Sequence, residues 1–378
     1  MLLVRIGLAA LAATGLYWPV RLAYADKLAS QVNPGDLERA IALAPGNALF
    51  WTRLNSPGGN EVASRLQPWN SALLIRRGLD AELHGSPQKA EGLMLEAVRM
   101  DRTFAPAWCL ANFYARRRDG KVWAQARACL NVQDRDPGPV FDLCWKVSDD
   151  AGLILRSIPE HSRGQYLAYL IGLKGNRSRP EAARAVYTSL DAAAPQNAAV
   201  LLDYCDFLIT HNSVDAVAPC NAAGGQQLRP ELGISMTNGD LSSVPSGRGF
   251  DWHVPVQAGI SSSLFRSGPA MRFVFDGEEQ EQAVLFWQAA PLIAGRRYRF
   301  QFRYRTADMA PASGLRWCVA ESCGQDLSGD EWSAGTFDFV APISRTLARI
   351  SLDYKRPQGA MRLKGSLRIA NLSLSFRP

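Results

Sequence analysis

An alternating run of arginines and aromatic residues is the strongest local pattern in this sequence, and its arginines could bind an acidic group. Residues 297–305 read Arg-Tyr-Arg-Phe-Gln-Phe-Arg-Tyr-Arg. Because successive side chains of a β-strand point to opposite faces, the rings would share one face and the arginines the other. The aromatic face must be core. The arginine face must meet water, carboxylates of a neighbouring strand or an acidic ligand, and pairing with carboxylates is the favoured interpretation.

Three carboxylates lie close together in the segment Gly-Glu-Glu-Gln-Glu of residues 277–281, namely Glu278, Glu279 and Glu281. Glycosidases need two carboxyl groups at a set spacing across a cleft, which sequence cannot show. A charged surface loop is the ordinary interpretation of this segment. The chain also lacks the nucleophile-elbow, zinc-protease, phosphate-loop and dinucleotide-binding motifs. We therefore predict a protein that is not an enzyme and that uses no cofactor.

The seven cysteines and four histidines are scattered, and no Cys-x-x-Cys pair occurs, so a zinc site is not expected. Export would permit disulfides. Cys318 and Cys323 could close a small loop at a strand end, and Cys205 and Cys220 could link two helices. Free thiols that pack as small hydrophobic groups are the alternative for the five cysteines of the helical region.

The formal net charge of +7 comes mostly from arginines spread over the whole chain. No block of basic residues and no nucleic-acid-binding motif accompanies them, so we do not expect a nucleic-acid partner. Weak attraction to anionic polysaccharide or to lipid headgroups is compatible with this charge.

Residues 21–225 show helical periodicity with a spacing near 34 residues, which is typical of stacked helix–turn–helix units. In the clearest unit, from Ser71 to about Phe104, Gly78 would allow close helix packing and Gly85 would lie in the turn. Ala90 and Ala97 would be small contact positions. These four residues have the spacing of a tetratricopeptide repeat, and the segment resembles a degenerate array of about five such units. A helical bundle without repeats is the alternative.

Such an array usually offers a concave surface to a peptide or protein, so the resemblance implies a protein-binding role. Polar residues of first helices are candidates for the groove. They are Arg76, Arg77, Arg116 and Arg117, together with Arg118. For the run 116–118, a solvated helix end is the favoured alternative.

The N-terminus places Arg5 before an apolar run from Ile6 to Val20, followed by Ala23-Tyr24-Ala25. This is the pattern of a secretory signal with a cleavage site after Ala25. The alternative is an uncleaved anchor at residues 1–20. We favour the anchor, because cleavage would remove most of the first repeat's first helix. We therefore predict a bacterial inner-membrane protein with its bulk in the periplasm, the alternatives being a secreted and a cytosolic protein.

Helical periodicity ends after Cys220, and residues 226–231 are predicted to be a linker. Residues 232–378 alternate apolar and polar side chains between turns, which predicts an antiparallel β-sandwich of jelly-roll type with seven or eight strands. Seven strands can be placed. They are 270–275, 283–288, 297–306, 315–320, 336–340, 346–353 and 366–375.

The sandwich region resembles galactose-binding-like domains, which include many carbohydrate-binding modules. The resemblance rests on the opening Asn-Gly-Asp-Leu of residues 238–241, on Gly-Phe-Asp-Trp at 249–252 and on the alternating strand 297–305. In such modules sugars stack on exposed rings. The resemblance therefore implies ligand binding by Trp252 and Trp332, in loop-like contexts, with Phe250 and Asp251 beside them. Trp287 and Trp317 lie in predicted strands, where at least one should be core. Asp240 and Asp251 could instead bind calcium, although a turn role is favoured.

Together the two halves look similar to bacterial envelope proteins that join tetratricopeptide repeats to a C-terminal sandwich, a combination associated with exopolysaccharide or O-antigen production. This resemblance implies a scaffold whose helices dock a protein of the polysaccharide machinery. The alternative is a carbohydrate-binding protein that reads a cell-surface glycan through its sandwich. The two roles are compatible, since one half could bind the machinery and the other its product.

Overall fold

The computed structural model describes residues 2–31, 33–132, 135–224, 227–265, 268–319, 322–343 and 347–377, with the side chains of residues 2–14 and 34 left out. The chain divides into two compact units, residues 1–162 and 163–378, which are described separately.

The first unit is helical. Asn and Ser side chains at residues 33, 47, 56 and 70 accept hydrogen bonds from the first turns of four helices, which explains where these helices begin. The helices are α1 (Leu2–Ala29), α2 (Pro34–Leu43), α3 (Ala48–Arg53), α4 (Pro57–Leu66), α5 (Ser71–Leu83), α6 (Pro87–Met100), α7 (Phe104–Arg116), α8 (Val122–Leu130), α9 (Gly138–Val147) and α10 (Ala151–Ser157).

Helices α5 and α6 pack closely at the predicted glycine. A Cβ on Gly78 would lie 2.9 Å from Met94 Cγ and 3.3 Å from the Ala90 carbonyl oxygen, so a larger residue would push the helices apart. Gly85 lies in the turn between them with φ of +73°, a left-handed conformation that glycine adopts without strain. Ala90 and Ala97 are fully buried. The predicted close approach of these two helices is confirmed.

Residues 2–20 of the predicted anchor, which was placed at residues 1–20, lie in α1 (Leu2–Ala29). Met1 and the side chains of residues 2–14 lie outside the described residues. Among the described residues, no helix combines the length and the apolar character that crossing a membrane requires.

The second unit begins with four helices and continues into nine strands. The helices are α11 (Arg163–Gly172), α12 (Pro180–Thr188), α13 (Ala198–Thr210) and α14 (Val217–Ala222). The strands are β1 (Ile260–Phe265), β2 (Ala270–Asp276), β3 (Gln282–Pro291), β4 (Arg297–Ala307), β5 (Leu315–Val319), β6 (Ser322–Cys323), β7 (Ser333–Val340), β8 (Leu347–Lys355) and β9 (Lys364–Arg377). All seven predicted strands occur, with their end positions 320 and 346 outside the described residues, and β1 and the two-residue β6 are additional.

The strands form two antiparallel sheets, which fit the predicted sandwich. One sheet has the order β1-β2-β9-β4-β7 and the other β3-β8-β5-β6. Tyr298, Phe300 and Phe302 of β4 are buried in the shared core, where Phe300 meets Trp317 of the second sheet edge to face at 4.8 Å. The prediction that the aromatic face of β4 is core is confirmed.

Helices α13 and α14 belong to the same compact unit as the sandwich. The predicted domain boundary, in contrast, lay at residues 226–231. Gln226 is outside the described residues. The reason for the shared unit is an apolar cluster that strand and helix residues form together. Its members are Cys205, Ala216, Leu228, Phe250, Ala289 and Leu347. In addition, Arg248 forms ion pairs with Asp203 and Asp206 of α13. The change from helix to strand therefore does not separate two units.

Candidate functional site

The two segments that carry the galactose-binding-like resemblance lie against each other. The Trp252 indole N–H donates to the Asn238 carbonyl oxygen at 3.2 Å, and the Leu372 amide of β9 donates to the Gly239 carbonyl oxygen at 2.7 Å. A Cβ at Gly239 would lie 2.2 Å from the Leu372 carbonyl oxygen, so only glycine fits there. The motif glycine and the indole thus hold the loop onto the sheet.

Trp252 is fully buried, which corrects the prediction that it offers an exposed ring. Its ring stacks on Phe286 at 4.3 Å and meets Trp317 edge to face at 5.9 Å. Phe250 is also buried, 3% exposed, within the cluster shared with α13. The Gly-rich flanks gave Trp252 the appearance of a loop residue, but burial of its large apolar ring and the hydrogen bond to Asn238 favour the interior. Neither ring can stack on a sugar.

The Asp251 carboxylate holds the loop in place. It accepts hydrogen bonds from the Ser246 amide at 2.7 Å and from the Asn238 side-chain amide at 3.2 Å. Asp240 similarly accepts from the Ser242 amide at 3.2 Å. Within the described ranges, no group of three or more His, Cys, Asp or Glu residues could hold a metal ion. These contacts assign both aspartates a turn role.

A cavity of about 830 Å³ lies beside this loop in the second unit. Arg248, Asp251 and Ser246 line it together with Phe250 and Leu372. Its charged groups already have partners, because Arg248 pairs with α13 and Asp251 holds the loop. The cavity therefore has the size of a ligand site, but its charged side chains are used within the chain.

The outer face of the five-stranded sheet carries seven arginines. Register and alternation place them on β2, β9 and β4, opposite to the buried aromatic side. They are Arg272, Arg297, Arg299, Arg303, Arg305, Arg368 and Arg377. Arg299 makes two 2.7 Å hydrogen bonds to Asp338 of β7, and Arg377 lies 3.8 Å from the same carboxylate. The predicted pairing with a neighbouring carboxylate is thus confirmed for one end of the face.

Trp332 is the predicted ligand residue that remains exposed, with 38% of its surface accessible. It directly precedes β7, and the Arg303 guanidinium lies 5.4 Å from its ring centroid. Because Arg303 points outward, the ring lies on the outer face too. Two residues along β4 from Arg303, the same face carries a row of uncharged polar side chains at paired positions. They are Ser373 on β9, Gln301 on β4 and Thr336 on β7, all exposed.

The arginines predicted to line a groove in the helical unit have separate surroundings. Arg76 donates to the Thr52 carbonyl oxygen at 2.9 Å and lines a groove of about 380 Å³ between α3 and α5. Arg116 makes two hydrogen bonds to Glu82, of 3.1 and 2.6 Å, and Arg117 lies 4.7 Å from the Phe113 ring. Arg77 is half-buried on α5. Of these side chains, Arg76 lines the groove.

The three carboxylates of residues 278–281 turn to different partners. Glu279 is buried, 2% exposed, and accepts hydrogen bonds from the Tyr354 hydroxyl at 3.0 Å and the Leu363 amide at 2.6 Å. Burial, with Glu279 as a further cause, raises the pKa of Tyr354 to about 12. Glu281 pairs with Arg356, and Glu278 lies 3.7 Å from Arg362. Because buried Glu279 accepts a hydrogen bond from Tyr354 of β8, the segment is attached to the sheet and is not a simple surface loop.

Two disulfides join cysteine pairs that the spacing suggested. Cys318 and Cys323 are bonded across β5 and β6, and Cys205 of α13 is bonded to Cys220 of α14. Cys129 and Cys144 are buried free thiols, and burial raises the pKa of each to about 12, so both stay protonated at neutral pH.

Neither a protein-family model nor a curated protein sequence matches the chain. Solved structures resemble its C-terminal β part. One described as CBM4 is 17% identical, covers 38% of this chain and 100% of its own, and has a TM-score of 0.30. A putative sugar-binding protein from Bacteroides thetaiotaomicron is 10% identical, with 40% and 98% coverage and a TM-score of 0.24. At these values no function is transferred to the present chain.

The second sheet carries a group of stacked side chains that the sequence did not predict. His253 lies parallel to Trp287 with ring centroids 3.9 Å apart, and the Arg349 guanidinium lies 4.5 Å from the Trp287 ring. Burial lowers the pKa of His253. The residues around His253 do not predict this stacking, because Trp287 and Arg349 lie in strands far away along the chain. The half-buried Trp287 ring is covered within the chain and is no free stacking platform.

Proposed function

We propose that this chain is a non-catalytic polysaccharide-binding protein that holds a glycan on the outer face of its five-stranded sheet. The observation that carries the proposal is the exposed Trp332 ring beside Arg303 on this face. The C–H face of a pyranose is apolar and can stack on such a ring. The neighbouring polar row of Ser373, Gln301 and Thr336 offers hydrogen bonds to sugar hydroxyls.

The length of the face suits an extended chain of sugars. Eight residue steps lead from Arg297 to Arg305, which corresponds to about 26 Å along β4. Exposed side chains at alternate positions line this length, so several sugar units could contact the face at once. An elongated polar surface of this kind favours a polymer over a small molecule, which would need a cavity that surrounds it.

Titration calorimetry of the full chain with polysaccharide purified from the source organism tests the proposal. We expect saturable binding that Trp332→Ala weakens about tenfold, which corresponds to about 1.4 kcal/mol of lost stacking. Trp69→Ala is the matched control, because Trp69 is 73% exposed but belongs to the helical unit. Equal loss in both variants, or binding that Trp332→Ala leaves unchanged, would contradict the proposal.

A second candidate function is protein binding by the helical unit. The groove between α3 and α5 is lined by Leu49, Leu73 and Arg76, and Leu49 leaves 53% of its surface exposed. An apolar residue next to a cation suits an amphipathic peptide. A photo-crosslinking residue at position 49 should capture one envelope protein reproducibly in native cells, whereas the same residue at exposed position 65 should not. Identical capture at both positions would remove this candidate.

We further propose that residues 1–20 anchor the chain to the bacterial inner membrane and that its bulk lies in the periplasm, in the service of polysaccharide assembly or export. The signal-like pattern of the N-terminus and the two disulfides, which persist in oxidising compartments, support this location. Fractionation of native cells and mass spectrometry of the mature N-terminus test it. Mature protein that begins after Ala25 would replace the anchor with a cleaved signal.

A further inference from the structure

Three arginines lie side by side on adjacent strands of the outer face. Arg272 of β2 is paired in register with Arg368 of β9, and Arg368 is paired with Arg305 of β4. Neighbouring strands are about 4.8 Å apart, so three positive charges fall within about 10 Å. Like charges that face each other across strands destabilise a sheet. Folding alone therefore gives no reason to place these three residues in one row.

No carboxylate among the described residues forms an ion pair with this row. The contrast with Arg299 on the same face is clear, because Asp338 neutralises that arginine through two hydrogen bonds. The Nε of Arg272 is buried and has no hydrogen-bond partner within the described chain. A buried donor without an acceptor is unfavourable unless a ligand supplies one.

Two arginines of the row contact an aromatic ring of the neighbouring edge strand. The Phe265 ring of β1 lies 4.7 Å from the Arg368 guanidinium and 6.0 Å from that of Arg272, within the range of cation–π attraction. Arg305 and Arg368 then line a small cavity with Ala307 and the Ser366 hydroxyl, with a volume of about 90 Å³. About three waters would fill this volume, so it can admit one small anionic group.

We propose that the row of Arg272, Arg368 and Arg305, with Ser366, is the subsite that binds a carboxylate of an acidic sugar within the bound polysaccharide. This inference rests on the proposed function and names its ligand as an acidic glycan. The guanidinium fork matches a carboxylate in two parallel hydrogen bonds, and Ser366 adds a hydroxyl donor. Trp332 follows on the same face, next to Arg303, where a neighbouring sugar would stack.

The arrangement favours an acidic glycan over single-stranded nucleic acid. Nucleic-acid channels stack successive bases on successive aromatic rings along a basic groove. On the described part of this face Trp332 is the one exposed ring, and Phe265 is half-buried against two of the arginines. A single ring beside clustered arginines suits a polymer in which one sugar stacks and another carries the charge.

Calorimetric titration of the full chain with polygalacturonate, and with the same polymer after reduction of its carboxyl groups, tests the subsite. We expect saturable binding of polygalacturonate, at least tenfold weaker binding of the reduced polymer, and a similar loss for Arg368→Gln and Arg272→Gln. Arg299→Gln is the matched control, since this arginine already has a carboxylate partner, and it should bind within about twofold of the unaltered protein. Thermal unfolding of each variant verifies its fold.

The outcomes separate the two proposals. If both polymers bind equally and Trp332→Ala weakens both, the glycan site stands and the carboxylate subsite is refuted. If neither polymer binds and the source organism's polysaccharide does not bind either, both proposals fall. Binding of poly(dT) at the same ionic strength as tightly as polygalacturonate would overturn the assignment to an acidic glycan, as would equal binding by Arg368→Gln and the unaltered protein.

Discussion

The two faces of the five-stranded sheet differ in how far their side chains have partners within the chain. On the inner face, Tyr298, Phe300 and Phe302 pack against the second sheet and leave almost no surface exposed. On the outer face, Arg299 has a carboxylate partner, whereas Arg272 belongs to a row of cations without one in the described chain. The same strands therefore bury the aromatic side chains of the inner face and leave a row of arginines on the outer face without a carboxylate partner in the described chain.

This difference shows which face stabilises the fold and which is available for binding. Burial of an aromatic side chain contributes a few kcal/mol of stability, while an exposed arginine without a partner contributes almost none. An unsatisfied group persists at a functional site when its partner is supplied from outside the chain. Substitutions on the two faces should therefore change different quantities, stability for the inner face and binding for the outer one.

The largest effect should come from adjacent residues of β4 that point to opposite faces. Phe300→Ala removes a fully buried ring and should lower the free energy of unfolding by about 3–5 kcal/mol, because it leaves a cavity in the core. Gln301→Ala, on the exposed face, should change it by less than about 0.5 kcal/mol. Urea unfolding followed by circular dichroism measures both. Similar losses in the two variants would break the comparison.

A second test concerns the tight pairing of Gly335 with Phe302 on the inner face. A Cβ at position 335 would lie 2.3 Å from Phe302 Cε2, so Gly335→Ala should cost about 1–3 kcal/mol of stability through overpacking. The double variant Gly335→Ala with Phe302→Leu should lose less than the sum of the two single variants, because the smaller side chain relieves the clash. Additive losses in thermal unfolding would disprove this contact.

Substitution of two different arginines of the outer face should change stability differently. Arg299→Gln removes the ion pair with Asp338 and should lower stability by up to about 1 kcal/mol. Arg368→Gln removes a charge between two other arginines and should leave stability unchanged or slightly raised. Unfolding at low and at high salt measures both, and salt should reduce the difference. A larger loss for Arg368→Gln would mean that the row has an acidic partner within the chain.

The smallest expected effect is a pH dependence of stability that comes from His253. His253 is half-buried, whereas His211 is exposed. Burial lowers the pKa of His253 in the folded chain, so the folded state disfavours its protonation. The stability that neutral His253 provides is present above the unfolded-state pKa of about 6.5 and is lost as the pH falls through the folded-state value. His253→Gln should flatten the decline of stability between pH 7.5 and 5.5.

The matched control for this prediction is His211→Gln, which replaces an exposed histidine directly after α13 and should keep the decline that His253 causes. Unfolding free energies at three pH values, extrapolated from urea curves, give the slopes. If His253→Gln and the unaltered protein have the same slope, another group is responsible for the acid sensitivity.

Much of the fold follows from local patterns. The alternation in residues 297–305 predicts both faces of β4, and Gly78 predicts the close approach of α5 and α6, because each pattern depends on neighbours along the chain. Trp252 was misjudged because glycine-rich flanks suggest an exposed loop, whereas its hydrogen-bond partner Asn238 and its stacking partner Phe286 come from other segments. The attachment of α13 to the sandwich was missed for the same reason.

The order of residues along each strand is enough to predict which side chains share a face, since alternation is a property of the extended backbone. The same alternation predicts the composition of both faces of β4 and the presence of seven of the nine strands, all except β1 and β6. The side-by-side position of Arg272, Arg368 and Arg305 is visible only in the folded chain, because the strand order β1-β2-β9-β4-β7 brings together segments almost one hundred residues apart. Strand order depends on long-range pairing and core packing, which local alternation does not encode.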